Sequence, residues 1–396
     1  MQHKCLRFSR LVVLCVSSLL VSIVGCSSSD GDSNATAGGG DNAGGSSSAG
    51  TSGATAGSTA SAGSSASSGT SGGTGAACSF PAEIQWSASA PLIKPISDAK
   101  HDILAVKDPT LVRYDDRWHV FVSTVSVSGA YSMAYVNFAD FSEASSAPLH
   151  YLDQTPGLGG YTAAPEVFYF TPQKKWYLVY QSGPPMYSTT DDLSDPSTWT
   201  APAPFFKSTP AIVTKNGGGW LDYWVICDTV NCHLFFSNNQ GIWYHSKTGI
   251  EQFPNGFGEP EIALQDSNAG RIFEASNVYR IKGTDQYLAL VEAFDQTSSD
   301  KRYFRSWISK DLNGPWLPWQ ASGSFPFAGK SNVKFEGEAW TNDISHGDMI
   351  RAGYDEKLEI DPCHLRFMFQ GADPNADNGG NYNKIPWQIG VITQTN

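Results

Sequence analysis

Lys107-Asp108-Pro109-Thr110 leads into Leu111-Val112-Arg113-Tyr114, a polar turn at Asp115-Asp116, and then Trp118-His119-Val120-Phe121-Val122. Two short apolar runs around a polar turn are the signature of a β-hairpin. The pattern recurs, each time with a carboxylate in front of it. Glu166 leads into Val167-Phe168-Tyr169-Phe170, a turn, and Trp176-Tyr177-Leu178-Val179-Tyr180. Asp222 leads into Tyr223-Trp224-Val225-Ile226 and then His233-Leu234-Phe235-Phe236. Glu274 leads into Asn277-Val278-Tyr279-Arg280-Ile281 and, past Gly283, Tyr287-Leu288-Ala289-Leu290-Val291. A looser fifth copy has His346-Gly347-Asp348 before Met349-Ile350-Arg351 and Leu365-Arg366-Phe367-Met368-Phe369 after it. The four carboxylates stand 58, 56 and 52 residues apart. Repeats of this length made of short strands predict an all-β fold, the blades of a β-propeller. A propeller aims the start of each innermost strand at one mouth of its channel, so the spacing gathers the acids around one pocket. A ring of acids among aromatics is what hydrolysis of a glycosidic bond requires.

The N-terminus reads differently. Residues 1–26 have the form of an export signal, with Lys4, Arg7 and Arg10 ahead of an apolar run from Leu11 to Val24. That run is short for a membrane span of about 20 residues. It ends in Ile23-Val24-Gly25-Cys26, which resembles a bacterial lipobox, with Cys26 as the lipidated residue. The plainer reading is an ordinary secretory signal. Residues 27–77 are almost entirely Ser, Gly, Ala and Thr. Such a tract has no apolar surface to bury, predicting a disordered tether with an average reach of roughly 40 Å. Residues 78–396 are then the folded domain. An exported protein follows, either membrane-anchored through lipid or extracellular.

A net charge of −12 and the lack of a basic run after the signal argue against nucleic-acid binding. Of seven cysteines, Cys5 and Cys15 leave with the signal and Cys26 carries lipid. The four that remain suggest disulfides in an exported domain. Cys227 and Cys232 flank a short turn between two strands, which suits a hairpin staple. Cys78 and Cys363 would then pair, tying the start of the domain to its last blade. Zinc is the rival reading, disfavoured because the chain has no C-x2-C spacing.

Several longer strings point to a family. Trp340-Thr341-Asn342-Asp343-Ile344-Ser345-His346-Gly347-Asp348 resembles glycoside hydrolase family 62, as do Ile360-Asp361-Pro362-Cys363, Pro326-Phe327-Ala328-Gly329-Lys330, Arg302-Tyr303-Phe304-Arg305-Ser306 and Asn381-Tyr382-Asn383-Lys384-Ile385-Pro386. The resemblance runs from about Cys78 to Asn396. It implies a five-bladed propeller acting as a monomer, without an organic cofactor. It implies an inverting α-L-arabinofuranosidase that removes single arabinose branches from arabinoxylan or its oligosaccharides. By resemblance Asp108 is the general base, Glu274 the general acid, and Asp222 the third carboxylate that orients the sugar and tunes the acid. An inverting enzyme needs one ionised and one protonated carboxyl, and a third acid nearby helps keep the second protonated.

The resemblance places Lys107, Gln181, Asn277, Arg305, Tyr382 and Asn383 among the sugar-binding residues. The simpler alternative for Tyr382 is a tyrosine packed against its own glycine-rich loop. It also places His346 near a structural Ca2+ in the channel, against the simpler reading of a hydrogen-bonded core histidine. Most of such an ion's shell would be water. Two departures stand out. Ser182, in Gln181-Ser182-Gly183-Pro184, occupies the place of a tryptophan beside the arabinose pocket, and Glu166 adds a carboxylate near the mouth. Two other functions remain open: a related arabinanase or xylosidase, and a non-catalytic surface propeller that binds sugar.

Overall fold

The hairpins read from the sequence are the inner halves of five antiparallel sheets. The computed structural model describes residues 80–294 and 301–396. Blade 1 runs Ile103–Tyr114, Arg117–Ser126, Tyr131–Phe138 and His150–Tyr151 from the inside out. Blade 2 is Ala163–Phe170, Lys175–Gln181, Pro185–Thr190 and Ala203–Pro204. Blade 3 is Leu221–Cys227, Asn231–Ser237, Ile242–Gly249 and Glu261–Gln265. Blade 4 is Glu274–Ile281, Tyr287–Phe294, Arg302–Ser309 and Leu317–Trp319. Blade 5 is Ser345–Met349, Arg366–Gly371, Gln388–Gln394 and, from the other end of the chain, Trp86–Ala88. The protein is a five-bladed β-propeller, as the repeat predicts.

Each inner strand is packed between its two neighbours, so it buries both faces. This is why these strands read as unbroken apolar runs rather than as alternating ones. Tyr114 pairs with Arg117 across a two-residue loop in which Asp115 and Asp116 have φ of 47° and 56°. Positive φ at both positions is the geometry of a type I′ turn, whose twist matches that of the strands.

Blade 5 closes the ring with non-local pairs. Trp86–Ala88 lies antiparallel to Gln388–Gln394 and parallel to Val333–Phe335. Trp86 is buried and its indole N–H donates to the Phe327 carbonyl at 2.7 Å. The Asn332 amide holds the carbonyls of Ile84, Pro326 and Phe327. Cys227 and Cys232 face each other in register and are joined by a disulfide, as expected for a hairpin staple. Cys363 is also disulfide-bonded. Its expected partner Cys78 lies outside the described residues, as do the signal, Cys26 and the tract 27–77.

One end of the channel is stitched shut. The segment 351–360 leaves blade 5 and crosses the far ends of the other inner strands. Its carbonyls at Tyr354, Glu356 and Leu358 accept from the N–H groups of Tyr169, Cys227 and Arg280 in blades 2, 3 and 4. The Arg351 guanidinium reaches the Val167 and Leu111 carbonyls and the Asp348 carboxylate. The strand starts, which carry the acids, gather at the opposite mouth.

Candidate active site

Every inner strand slips register against its partner at an equivalent place, and the blade 1 strand slips once more, between Ile103 and Ala105. The equivalent slips fall between Lys107 and Thr110, Ala163 and Glu166, Leu221 and Trp224, Glu274 and Asn277, and Ser345 and Gly347. Four of the bulged residues have left-handed backbone: Asp108 (φ 49°), Ala164 (50°), Asp222 (56°) and Ala275 (54°). A β-bulge bends its strand and re-aims a side chain. A non-glycine residue there carries a cost of about 1–2 kcal/mol, which aspartate bears better than most.

This register corrects the spacing argument. Asp108 and Asp222 occupy equivalent bulges in blades 1 and 3, alongside Ala164, Ala275 and His346 in blades 2, 4 and 5. Glu274 stands one residue before its bulge. Glu166 stands two residues past it, fully buried, and accepts the Val225 N–H at 2.7 Å. It belongs to the channel wall and not to the mouth, because the extra residue turns it inward.

The bulges are pinned from blade to blade. The Asp108 N–H donates to Gln370 Oε1 at 2.8 Å, the Ala164 N–H to Ser123 Oγ at 2.8 Å, the Asp222 N–H to Gln181 Oε1 at 3.2 Å, and the His346 N–H to Glu292 Oε2 at 2.7 Å. Each acceptor lies on the second strand of the preceding blade, opposite the residue just before that blade's own bulge. In blade 4 the Ala275 N–H donates instead to the Asp222 carboxylate at 2.7 Å. Gln181, expected on the sugar, thus orients Asp222, and its Nε2 donates to the Tyr161 hydroxyl at 2.5 Å.

Charges meet at this mouth. Asp108 Oδ1 lies 3.4 Å from Lys107 Nζ and 3.2 Å from His346 Nδ1. His346 Nδ1 also faces Asp222 at 3.8 Å. Glu274 Oε1 accepts from Arg302 Nη1 at 2.9 Å, and that same nitrogen binds Glu292. Burial alone would raise Asp108, but the Lys107 ammonium and then the His346 ring hold its carboxyl well below the usual carboxylate range. Burial, together with repulsion from Glu274 and Asp108, pushes Asp222 up to about 6 against the pull of His346. Burial would lower His346, but Asp108 and then Asp222 push it up to about 9. Four carboxyls (Asp108, Asp222, Glu274, Glu292) meet three basic side chains (Lys107, His346, Arg302) in this cluster.

Tyr382 links the two sides of the mouth. Its ring lies 5.0 Å from Lys107 Nζ and 5.4 Å from the Arg302 guanidinium, while 38% of the residue stays exposed. The side-chain Oδ1 of Asn383 accepts from the Tyr131 hydroxyl at 3.2 Å. Beside them opens a cavity of about 690 Å³, bordered by Tyr131, Tyr161, Asn383 and His101. None of the four carboxylates of the cluster lines it, so it adjoins the acid cluster rather than containing it.

Two expected ligands lie elsewhere. Arg305 spends its guanidinium on the Ala321 and Arg271 carbonyls, both at 2.6 Å. The arginine in the cluster is Arg302, three residues earlier on the same strand and so on its opposite face, and the apolar pattern of that strand does not mark which arginine points inward. Asn277 is fully buried one level below the bulges. Ser182 follows the end of a strand, in a turn where its N–H donates to the Pro184 carbonyl at 3.2 Å. The sequence reading passed over Glu292, Tyr131 and Tyr161 as well. Glu292 sits in mid-strand among apolar residues, where a lone acid was the available signal.

The channel wall has polar atoms fit for a guest. Both amide atoms of Asn277 and the Oε1 of Glu166 are buried without a hydrogen-bond partner. Buried orphans of this kind call for a water or an ion. With Nδ1 of His346 turned to Asp108, its Nε2 has no hydrogen-bond partner among the described residues. Oxygen donors in the wall suit a hard cation.

Comparison with known proteins agrees with this geometry. The model of the family described as "Glycosyl hydrolase family 62" matches residues 85–393. Alpha-L-arabinofuranosidase C of Cellvibrio japonicus is 38% identical over 318 residues, which are 80% of this chain and 48% of that protein. The chain thus spans about half the length of that curated relative. The catalytic domain of a Coprinopsis cinerea family 62 α-L-arabinofuranosidase is 51% identical, with TM-score 0.77, covering 80% of this chain and 98% of that one. The α-L-arabinofuranosidase of Podospora anserina, solved with cellotriose, is 45% identical, with TM-score 0.76 and coverage of 80% and 98%. This chain belongs to glycosyl hydrolase family 62.

Proposed function

We propose that the protein is an inverting α-L-arabinofuranosidase that releases single arabinofuranosyl branches from arabinoxylan and its oligosaccharides. One observation carries the reading. Asp108 and Glu274 reach the same mouth from blades 1 and 4, which are not neighbours in a ring of five, and Asp108 is held ionised. Acids that face each other across a pocket leave space for a water between one of them and the sugar.

The chemistry then balances as follows. Asp108 takes a proton from water as its oxygen bonds to the anomeric carbon. Glu274 gives its proton to the glycosidic oxygen as the bond from that oxygen to the anomeric carbon breaks. Arabinose leaves with inverted configuration, the xylan hydroxyl is restored, and solvent exchange returns both acids to their starting states. Asp222, pinned by Gln181 and by the Ala275 N–H, is placed to fix a sugar hydroxyl. Lys107, Tyr382 and Asn383 form the side of the pocket from which the xylan chain enters. One Ca2+ near His346, with mostly water around it, would brace the channel and take no part in bond breaking. The chain works as a monomer, exported and tethered through a lipid on Cys26 by the tract 27–77.

Incubating the protein with wheat arabinoxylan and with linear arabinan tests the reading. Free arabinose from the first and not the second is expected, with the β-anomer appearing first by proton NMR. Release from linear arabinan alone would point to an arabinanase. No release from either would leave a sugar-binding propeller.

A further inference from the structure

Five residues hold equivalent places on the second strands: Ser123, Gln181, Ser237, Glu292 and Gln370. Four accept the bulge N–H of the next blade, and Ser123, Gln181 and Gln370 do so without a charge. Glu292 is the exception. It is fully buried, where a carboxylate is costly unless several donors meet it. Its Oε2 accepts from the Ser345 hydroxyl at 2.8 Å and the His346 N–H at 2.7 Å. Its Oε1 binds Arg302 Nη1, the nitrogen that also holds Glu274. Holding the His346 N–H needs no charge, since Gln370 does the same for Asp108. The charge of Glu292 therefore answers Arg302.

Building on the hydrolase reading above, we propose that Glu292 is a positioning residue for the acid step, acting through Arg302. It fixes the guanidinium among Phe273, Phe294, Tyr382 and Trp387, all within 5.7 Å. It also competes for the same guanidinium nitrogen, so that Glu274 is oriented by Arg302 without being locked to it as a closed ion pair. Through the His346 N–H the same carboxylate steadies the base side, and one buried group thereby sets the acid and the base in a common frame.

The test is Glu292→Gln in the full chain, assayed on two aryl α-L-arabinofuranosides. A phenyl leaving group needs a proton from the acid, and a 2,4-dinitrophenyl group does not. Glutamine keeps the acceptor for the His346 N–H, so the base side is preserved. The phenyl substrate should lose about a hundredfold in kcat, the scale of an ångström misplacement, while the dinitrophenyl substrate changes by less than about threefold. Equal losses on both substrates would mean general structural damage and overturn the proposal, as would no loss on either. Arg302→Lys should give the same selective loss, and the double variant should be no worse than the poorer single one. Additive losses would separate the two residues and overturn it. If Glu292→Gln fails to fold, the selectivity of Arg302→Lys decides alone. A wild-type protein inactive on both aryl substrates and on arabinoxylan would remove the hydrolase reading and this inference with it.

Discussion

Asp108 and Glu274 sit in different surroundings, and this difference assigns their roles. Asp108 is flanked by two positive groups, Lys107 and His346, so it stays ionised in a site where burial alone would neutralise it. Glu274 shares a single guanidinium with a second carboxylate. Glu274→Gln keeps the shape and removes the proton, so kcat on xylan-linked arabinose should fall by about two to four orders of magnitude. Binding of xylo-oligosaccharides by calorimetry should survive. Asp108→Asn should be at least as damaging, and near-normal turnover in either variant would refute the assignment. Lys107→Met should act through pH. Without the ammonium, burial raises Asp108, so a smaller fraction is ionised in mildly acid solution. The acid limb of kcat/KM should move to higher pH, while the plateau rate falls less than in Asp108→Asn.

At the scale of the blade, polar side chains buried between sheets set a pH limit on stability. In blade 3, His233 Nδ1 and His245 Nε2 lie 2.7 Å apart and stack against Phe235. Burial lowers both, His245 to about 3. Folded-state affinities below the unfolded value of about 6.5 mean that the unfolded chain binds more protons in acid. Their contribution is present in full above that value and is lost as pH falls towards the folded ones. The loss should reach about 1.4 kcal/mol per pH unit for His245, with His233 acting in the same direction. Urea melts between pH 7 and pH 4.5 should show this slope, and His245→Phe should flatten it. An unchanged slope in that variant would place the acid sensitivity elsewhere.

Over the whole molecule, stability depends on closing the ring. Blade 5 takes its fourth strand from Trp86–Ala88, more than 300 residues away from Gln388–Gln394 in the chain. Trp86 is both packed and hydrogen-bonded. Trp86→Ala should lower the free energy of unfolding by about 3–5 kcal/mol, the usual range for a buried aromatic. Turnover at low temperature should remain, because the carboxylates lie at the inner edge of the blades and Trp86 at the outer. A large loss of kcat in folded Trp86→Ala would show that the outer seam shapes the mouth.

The hairpins, the number of blades and the staple at Cys227–Cys232 could be read from local pattern, because a buried strand and a tight turn each leave their signature within a few neighbouring residues. The motif strings around His346 and Asn381 carried the family. Which acid faces the mouth could not be read in this way. A bulge adds one residue to a strand without changing its apolar pattern, so Glu166 and Asp222 look equivalent in sequence and point to different places in space. Arg302 and Arg305 differ likewise, since strand composition does not say which guanidinium has partners in the next blade. Glu292 gains its meaning only where blades 4 and 5 meet. Local sequence decides strands and turns because their hydrogen bonds and burial are short-ranged. The charge balance of the site is decided by the ring, which brings groups from separate blades within a few ångströms in a poorly screened interior.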